Sequence, residues 1–221
     1  MIIRIAAVLI GYLFGMFQSG HLYGKLRGVD LHEHGSGNTG ATNALRVLGV
    51  KAGLLVFFLD ALKAFIPCFT IRLVFREDPY CMVYLMYAAL GVTLGNNYPA
   101  WLRFRGGKGV ATMAGWTVAW DPLTFAIGIA SFAIVAFSTG FVSLGSILAS
   151  LVLLAMSVVY GYRVYEVPFE NPVFIEFFVL VALLVLLLIV RHHANIKRLL
   201  SGTENRFGKK EKASDQGSLD K

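Results

Sequence analysis

Three polar stretches interrupt an otherwise apolar chain of 221 residues, and each has the make-up of an anion cradle. The first reads His34-Gly-Ser-Gly-Asn-Thr-Gly-Ala-Thr-Asn-Ala-Leu-Arg46. Its glycines, Gly35, Gly37 and Gly40, let backbone N–H groups turn toward a negative charge. Ser36, Asn38, Thr42 and Asn43 add neutral donors, and Arg46 adds a fork that matches two phosphate oxygens. The stretch also leads into a helix, whose N-terminus favours an anion. A loop that uses Asn and Gly only for turns would explain Gly-Ser-Gly alone. It does not explain the whole set beside an Arg.

The second stretch is Arg103-Phe-Arg-Gly-Gly-Lys-Gly-Val-Ala-Thr112. Its spacing departs from the nucleotide-binding G-x-x-x-x-G-K-[ST] loop, so nucleotide binding is rejected. The same physics still applies: Gly106 and Gly107 free backbone amides, Lys108 supplies a mobile charge, and a helix starts at once. A positive-inside loop accounts for Arg103 and Arg105, but not for glycines packed around a lysine. The third stretch, Arg191-His-His-Ala-Asn-Ile-Lys-Arg-Leu-Leu-Ser-Gly-Thr-Glu204, puts His192 and Asn195 three apart and so on one helix face. His192 by itself is equally well read as an interfacial residue. Asp60 and Lys63, also three apart, fall inside an apolar run, where charges are costly and face a bundle interior. A structural ion pair is the expected role. Cys68 and Cys81 lack metal-ligand spacing and read as buried small hydrophobes. The histidines and carboxylates offer no plausible ligand set, so neither a metal nor a cofactor is expected.

The elements that must hold these loops are membrane helices. The chain is 57% apolar and 15% charged, against about 45–50% and about 25% for soluble domains. The apolar residues fall in blocks near the ~20 residues that cross a bilayer. The expected fold is all-α, a polytopic bundle of about seven membrane helices. They run over 2–23, 44–75 (with Pro67 interrupting), 80–95, a short 110–120, 122–137, 143–160 and 173–192. Asp121-Pro122 splits the fourth from the fifth as N-cap and first helical residue. The first block has one basic residue, Arg4, and no small-residue cleavage site, so it reads as a retained span rather than a signal peptide. Residues 1–200 form the embedded domain in this reading, and 201–221 a polar, disordered cytoplasmic tail. Small-xxx-small pairs, Gly11/Gly15, Gly20/Gly24 and Gly91/Gly95, permit close helix packing. Seven crossings put fifteen of the twenty Lys and Arg on the side of the three polar stretches. That side should be cytoplasmic, with the N-terminus outside. The net charge of +7 is explained by this asymmetry, and no nucleic-acid partner is implied.

Taken together, the three stretches resemble the acyl-phosphate-dependent glycerol-3-phosphate acyltransferases, the PlsY family of bacterial membranes. The resemblance rests on residues 35–46, 104–112 and 192–204, with Asp60…Lys63 and Ser143-Leu-Gly-Ser146 in support, and covers about residues 5–206. The chain departs at Asn96, where the family usually has His, at His193, commonly Arg, and at Ala64, usually Gly. The resemblance implies transfer of a fatty acyl group from acyl phosphate to the 1-hydroxyl of glycerol 3-phosphate, giving lysophosphatidate and phosphate at the cytoplasmic face of the inner membrane. It implies phosphate contacts from Ser36, Gly37, Asn38, Gly40, Thr42, Asn43 and Arg46. Lys108, presented by Gly106 and Gly107, would stabilise the leaving phosphate. Ser143, Ser146, His192 and Asn195 would orient glycerol 3-phosphate, with His192 or a substrate phosphate oxygen as base. No Ser-His-Asp set and no H-x-x-x-x-D motif is present, so direct attack without an acyl-enzyme is expected. A monomer in the lipid bilayer is the expected state. The rival reading, a transporter for a phosphate-bearing solute, would place its polar groups at the midplane in two matching halves. Here they cluster at one face.

Overall fold

Glycine, proline and a few buried polar side chains decide where the apolar runs break. The structure, a computed structural model, describes residues 1–206, and the part of the expected tail at 207–221 lies outside the described residues. The first run forms α1 (Ile2–Gly15) and α2 (Ser19–Leu26) with a break at Met16–Gln18. Gln18 is buried there, and its Nε2 donates to the carbonyls of Gly15 at 3.1 Å and Asn96 at 3.2 Å. That satisfies helix-end carbonyls which lipid could not. The second run splits at Gly49, whose φ of +91° suits glycine alone, into α3 (Ala41–Leu48) and α4 (Val50–Val74). Of a long, tilted or broken course at Pro67, the helix is long: α4 continues through the proline.

The remaining helices are α5 (Cys81–Asn97), α6 (Val110–Trp120), α7 (Pro122–Thr139), α8 (Val142–Val164), α9 (Pro172–Arg191) and the short α10 (His193–Leu200). Asp121 caps α7 as expected, accepting from the Thr124 N–H at 3.1 Å. Among the described residues, five stretches are long and apolar enough to cross a membrane: Ile2–Leu26, Val50–Val74, Pro122–Thr139, Val142–Val164 and Pro172–Arg191. The two others in the expected set of seven are shorter. At 1.5 Å per residue, α5 reaches about 26 Å and α6 only about 17 Å. The chain is a multi-pass, all-helical membrane protein.

α5 lies at the centre, against α1, α4, α6 and α9, while α7 pairs with α8. The α1–α5 seam is a reciprocal glycine contact. A Cβ on Gly11 or Gly15 would strike the carbonyls of Ala88 or Val92, and one on Gly91 or Gly95 those of Val8 or Tyr12. Gly20 and Gly24 do something else. They let the Thr39 carbonyl of the first polar stretch, and the Val29 carbonyl of the turn after α2, press onto α2. Between the helices lies a core of Val83, Leu85, Met86, Val92, Trp116, Trp120, Phe174 and Val181, all at most 2% exposed.

At one end of the bundle each cation has a partner. Arg4 Nε and Nη2 grip Glu176 at 2.6 and 2.7 Å, Arg163 meets Asp121 at 2.7 Å, and Arg72 caps α6 through the Ala119 and Trp120 carbonyls. All three polar stretches gather at the other end.

Candidate active site

A cavity of about 530 Å³ opens where the three stretches meet. Of the residues singled out from sequence, Ser36, Asn38, Gly40, Thr42, Asn43, Arg46, Gly107, Lys108, Ser143, Ser146, His192 and Asn195 line it. Gly37 and Gly106 stand behind its wall. Gly37 turns the first loop with a φ of +68°. Gly106 sits so close to α5 that a Cβ would collide with the Asn96 carbonyl.

The first loop is held by Asn43 from within. Its Oδ1 accepts the Ser36 N–H at 2.8 Å, while its Nδ2 donates to the carbonyls of Leu31 and His34 at 3.1 and 2.9 Å. The side chain expected to grip phosphate is thus spent on shaping the loop. Asn38 works similarly: its Oδ1 accepts the Gly40 N–H, and its Nδ2 reaches the Gly106 carbonyl at 3.2 Å, joining the two loops. What remains directed at the cavity is the first turn of α3, where Ala41 and Thr42 line the wall after the N-cap Gly40, together with Ser36 and Arg46. A helix's first-turn amides lack intrahelical partners and attract anions.

The second loop also differs from expectation. Gly106 and Gly107 do not free their amides; these donate to the Asn97 and Asn96 carbonyls at 3.3 and 2.9 Å. Their lack of side chains instead lets the loop pack on α5, since a Cβ on Gly107 would lie 2.8 Å from Asn96 Nδ2. Arg191 pins the loop by donating to the carbonyls of Gly106 and Gly107 at 2.8–3.1 Å. Gly109, at φ +92°, then launches α6, whose first residues, Val110 to Thr112, line the cavity opposite α3. Two helix N-termini therefore face one space.

Lys108 stands between them. Its Nζ donates to Asn195 Oδ1 at 2.6 Å. Asn195 Nδ2 donates to Glu204 Oε1 at 2.7 Å, which also accepts from Ser143 Oγ at 2.8 Å; Arg198 Nε holds Oε2 at 2.7 Å. Burial and the field of Arg198 push the Lys108 ammonium down to about 8. Glu204 is depressed despite its burial, by hydrogen bonds from Asn195, Ser143 and Arg198. An ammonium so lowered gains most from a bound dianion.

Glu204 and Arg198 join the site beyond the residues that type and spacing single out, and Glu204 falls within the expected tail from 201 onward. Residues 201–206 return to the site, with Glu204, Asn205 and Arg206 on the cavity wall. The signal was present: Glu204 is the one carboxylate in a stretch with Arg191, Lys197 and Arg198.

His192 is 2% exposed, and its Nδ1 lies 2.8 Å from the Leu188 carbonyl. A carbonyl only accepts, so Nδ1 carries the proton and Nε2 keeps its lone pair. Burial, with Lys108 and Arg191 nearby, pulls the imidazole down to about 4, and it is neutral at pH 7. Ser146 donates to its own helix at Val142. Asp60 and Lys63 pair at 2.7 Å as expected, with Ser19 and Asn96 completing the group. Asn96 Oδ1 accepts from Lys63 at 2.9 Å.

An apolar annex opens from the cavity between α4, α6, α7 and α8. It shares Phe57, Val110 and Phe132 with the polar part and continues past Met113, Phe125, Ile129 and Leu153.

The model of the glycerol-3-phosphate acyltransferase family matches residues 5–202. A glycerol-3-phosphate acyltransferase from Symbiobacterium thermophilum is 39% identical, covering 93% of this chain and 96% of its own. One from Bacillus subtilis is 37% identical over 89% of this chain and 94% of its own. The crystal structure of PlsY (YgiH), an integral membrane glycerol 3-phosphate acyltransferase, in its glycerol 3-phosphate form, matches with a TM-score of 0.82 at 39% identity, covering 93% of this chain and 96% of that one. Its lysophosphatidic acid form matches at 0.79 and 38% identity over 93% and 95%. The chain belongs to the glycerol-3-phosphate acyltransferase family.

Proposed function

We propose that the protein transfers a fatty acyl group from acyl phosphate to the 1-hydroxyl of sn-glycerol 3-phosphate, releasing 1-acylglycerol 3-phosphate (lysophosphatidate) and phosphate. The observation that carries this is the pairing, in one cavity, of two anion-attracting helix starts with an apolar annex. Both substrates carry phosphate, and only one carries a long acyl chain. The α6 start with Lys108 suits the phosphate that leaves. The α3 start with Ser36 and Arg46 suits a second phosphate, while Ser143, Asn195 and His192 reach the glycerol. The annex takes the first carbons of the acyl chain, and its remainder lies in lipid.

An acyl phosphate is already activated, so alignment and stabilisation of developing charge suffice. The glycerol oxygen attacks the acyl carbon, the new ester C–O bond forms, and the bond to phosphate breaks. His192 is a poor proton store beside Lys108 and Arg191, since burial already opposes its charge. We assign it the role of hydrogen-bond acceptor that orients the hydroxyl, and the proton passes to a phosphate oxygen. Each phosphate released then leaves with that proton.

We infer that the protein acts as a monomer in the lipid bilayer. The excess of Lys and Arg at the cavity end supports a cytoplasm-facing site in a bacterial inner membrane. Purified protein given palmitoyl phosphate and labelled glycerol 3-phosphate should form labelled lysophosphatidate and inorganic phosphate in equal amounts. Absence of product from folded protein, or phosphate without lysophosphatidate, would refute the proposal.

A further inference from the structure

Beside the cavity, and forming none of its wall, His21 of α2 comes together with Asp30 and His32 of the first loop. Each offers one ligand atom, an imidazole nitrogen or a carboxylate oxygen, and the three atoms lie within 4.8 Å of one another. His32 is the informative member. Its Nδ1 is 3.1 Å from Asp30 Oδ1, and its Nε2 is 3.2 Å from the Arg105 carbonyl oxygen. Both neighbours are acceptors, whereas a neutral imidazole has one N–H. One ring nitrogen then turns a lone pair toward an acceptor unless a second positive centre, a proton or a metal ion, sits between them. His21 lies 5.7 Å from His32, ring to ring, with its edge set against Trp101 at 5.5 Å. Among the described residues no hydrogen bond engages either of its nitrogens.

We propose that His21, Asp30 and His32 bind one divalent transition-metal ion of the Zn²⁺ class. Two imidazoles and a carboxylate suit Zn²⁺, Ni²⁺ or Cu²⁺ and not the all-oxygen preference of Mg²⁺ or Ca²⁺. Three protein ligands leave a fourth tetrahedral position for water. Metal–ligand bonds of about 2.0–2.2 Å place tetrahedral donors roughly 3.3 Å apart. The Asp30–His32 pair is near that spacing already, and small side-chain movements bring in His21. The Arg105 carbonyl then receives the Nε2 proton and fixes the ring, the usual outer partner of a ligating histidine. The ion clips α2 and the first loop to the second loop, three residues before Lys108. Sequence spacing hid this set, because His21 and His32 are eleven residues apart and meet only when the chain folds back at Gly28.

The test uses full-length, untagged protein in detergent, stripped with EDTA, desalted and titrated with Co²⁺ as a visible probe. Wild type should bind one Co²⁺ per chain with the intense d–d bands of four- or five-coordination, and one equivalent of Zn²⁺ should displace it. His21→Gln/His32→Gln should bind at least tenfold more weakly while remaining monodisperse and helical. If that double variant fails to fold, His21→Gln alone decides by the same criterion, since it leaves the loop's own contacts in place. No saturable binding by wild type, or equal binding by the folded variant, would overturn the proposal. These readouts are independent of acyl transfer, so they stand or fall apart from the proposed reaction.

Discussion

Lys108 combines three properties: partial burial, a neutral hydrogen-bond partner in Asn195, and a cavity built of helix starts. Its ammonium, pushed down to about 8, is charged below that pH and neutral above it. In the free enzyme, kcat/KM should therefore fall as pH rises through about 8. Lys108→Arg, which stays protonated, should lack that alkaline limb even at reduced rate. Lys108→Ala should lose on the order of 10²–10³ in kcat, the cost of removing one stabiliser of developing charge. Turnover within a few-fold of wild type would contradict the assignment. Glu204 acts through others, holding Asn195, Ser143 and Arg198. Its charge also raises the Lys108 value, so Glu204→Gln should move the alkaline limb to lower pH; a pH profile unchanged in shape would argue for a purely structural role. Residue types at fixed spacing made Lys108, Arg46, His192 and Asn195 legible in the sequence. The division of labour was not. Asn43 has the look of a ligand contact, but only coordinates reveal its amide spent on Leu31, His34 and Ser36. The same holds for Gly106 and Gly107, whose use is close approach to Asn96 and Asn97.

Helices are positioned by small residues more than by oily ones, because lipid competes for apolar contact and backbone approach does not depend on it. Gly11, Gly15, Gly91 and Gly95 bring α1 and α5 together, and α5 in turn supports the second loop through Asn96 and Asn97. Gly91→Leu should separate that seam: the side chain meets the Val8 carbonyl of α1, which cannot retreat without moving the helix. Folded yield in detergent and thermal stability should drop sharply, whereas Gly128→Leu, with nothing within 4 Å of its Cβ, should leave both near wild type. Equal behaviour of the two would refute the packing argument. At this scale the sequence was informative where a break has a local cause, as at Asp121-Pro122. It was less so where tertiary contacts decide. The Pro67 ladder gap is absorbed within α4, and the break at Gln18 depends on Asn96, a partner distant in sequence.

Across the whole molecule, charge separates into two ends with different duties. Arg4, Arg72 and Arg163 are occupied by a carboxylate or by helix carbonyls. Lys108 and Arg46, at the other end, hydrogen-bond among the described residues only to neutral amide oxygens. That asymmetry predicts a topology. In intact cells, a cysteine at Glu166 should react with a membrane-impermeant maleimide, and one at Glu33 should react only after the membrane is opened. The reverse pattern would place the cavity outside. The central claim is the identity of the donor, and a paired reaction tests it directly. Purified protein receives labelled glycerol 3-phosphate with either palmitoyl phosphate or palmitoyl-CoA, and lysophosphatidate is measured. The account predicts product from the acyl phosphate and none from the thioester; product from palmitoyl-CoA alone would contradict it.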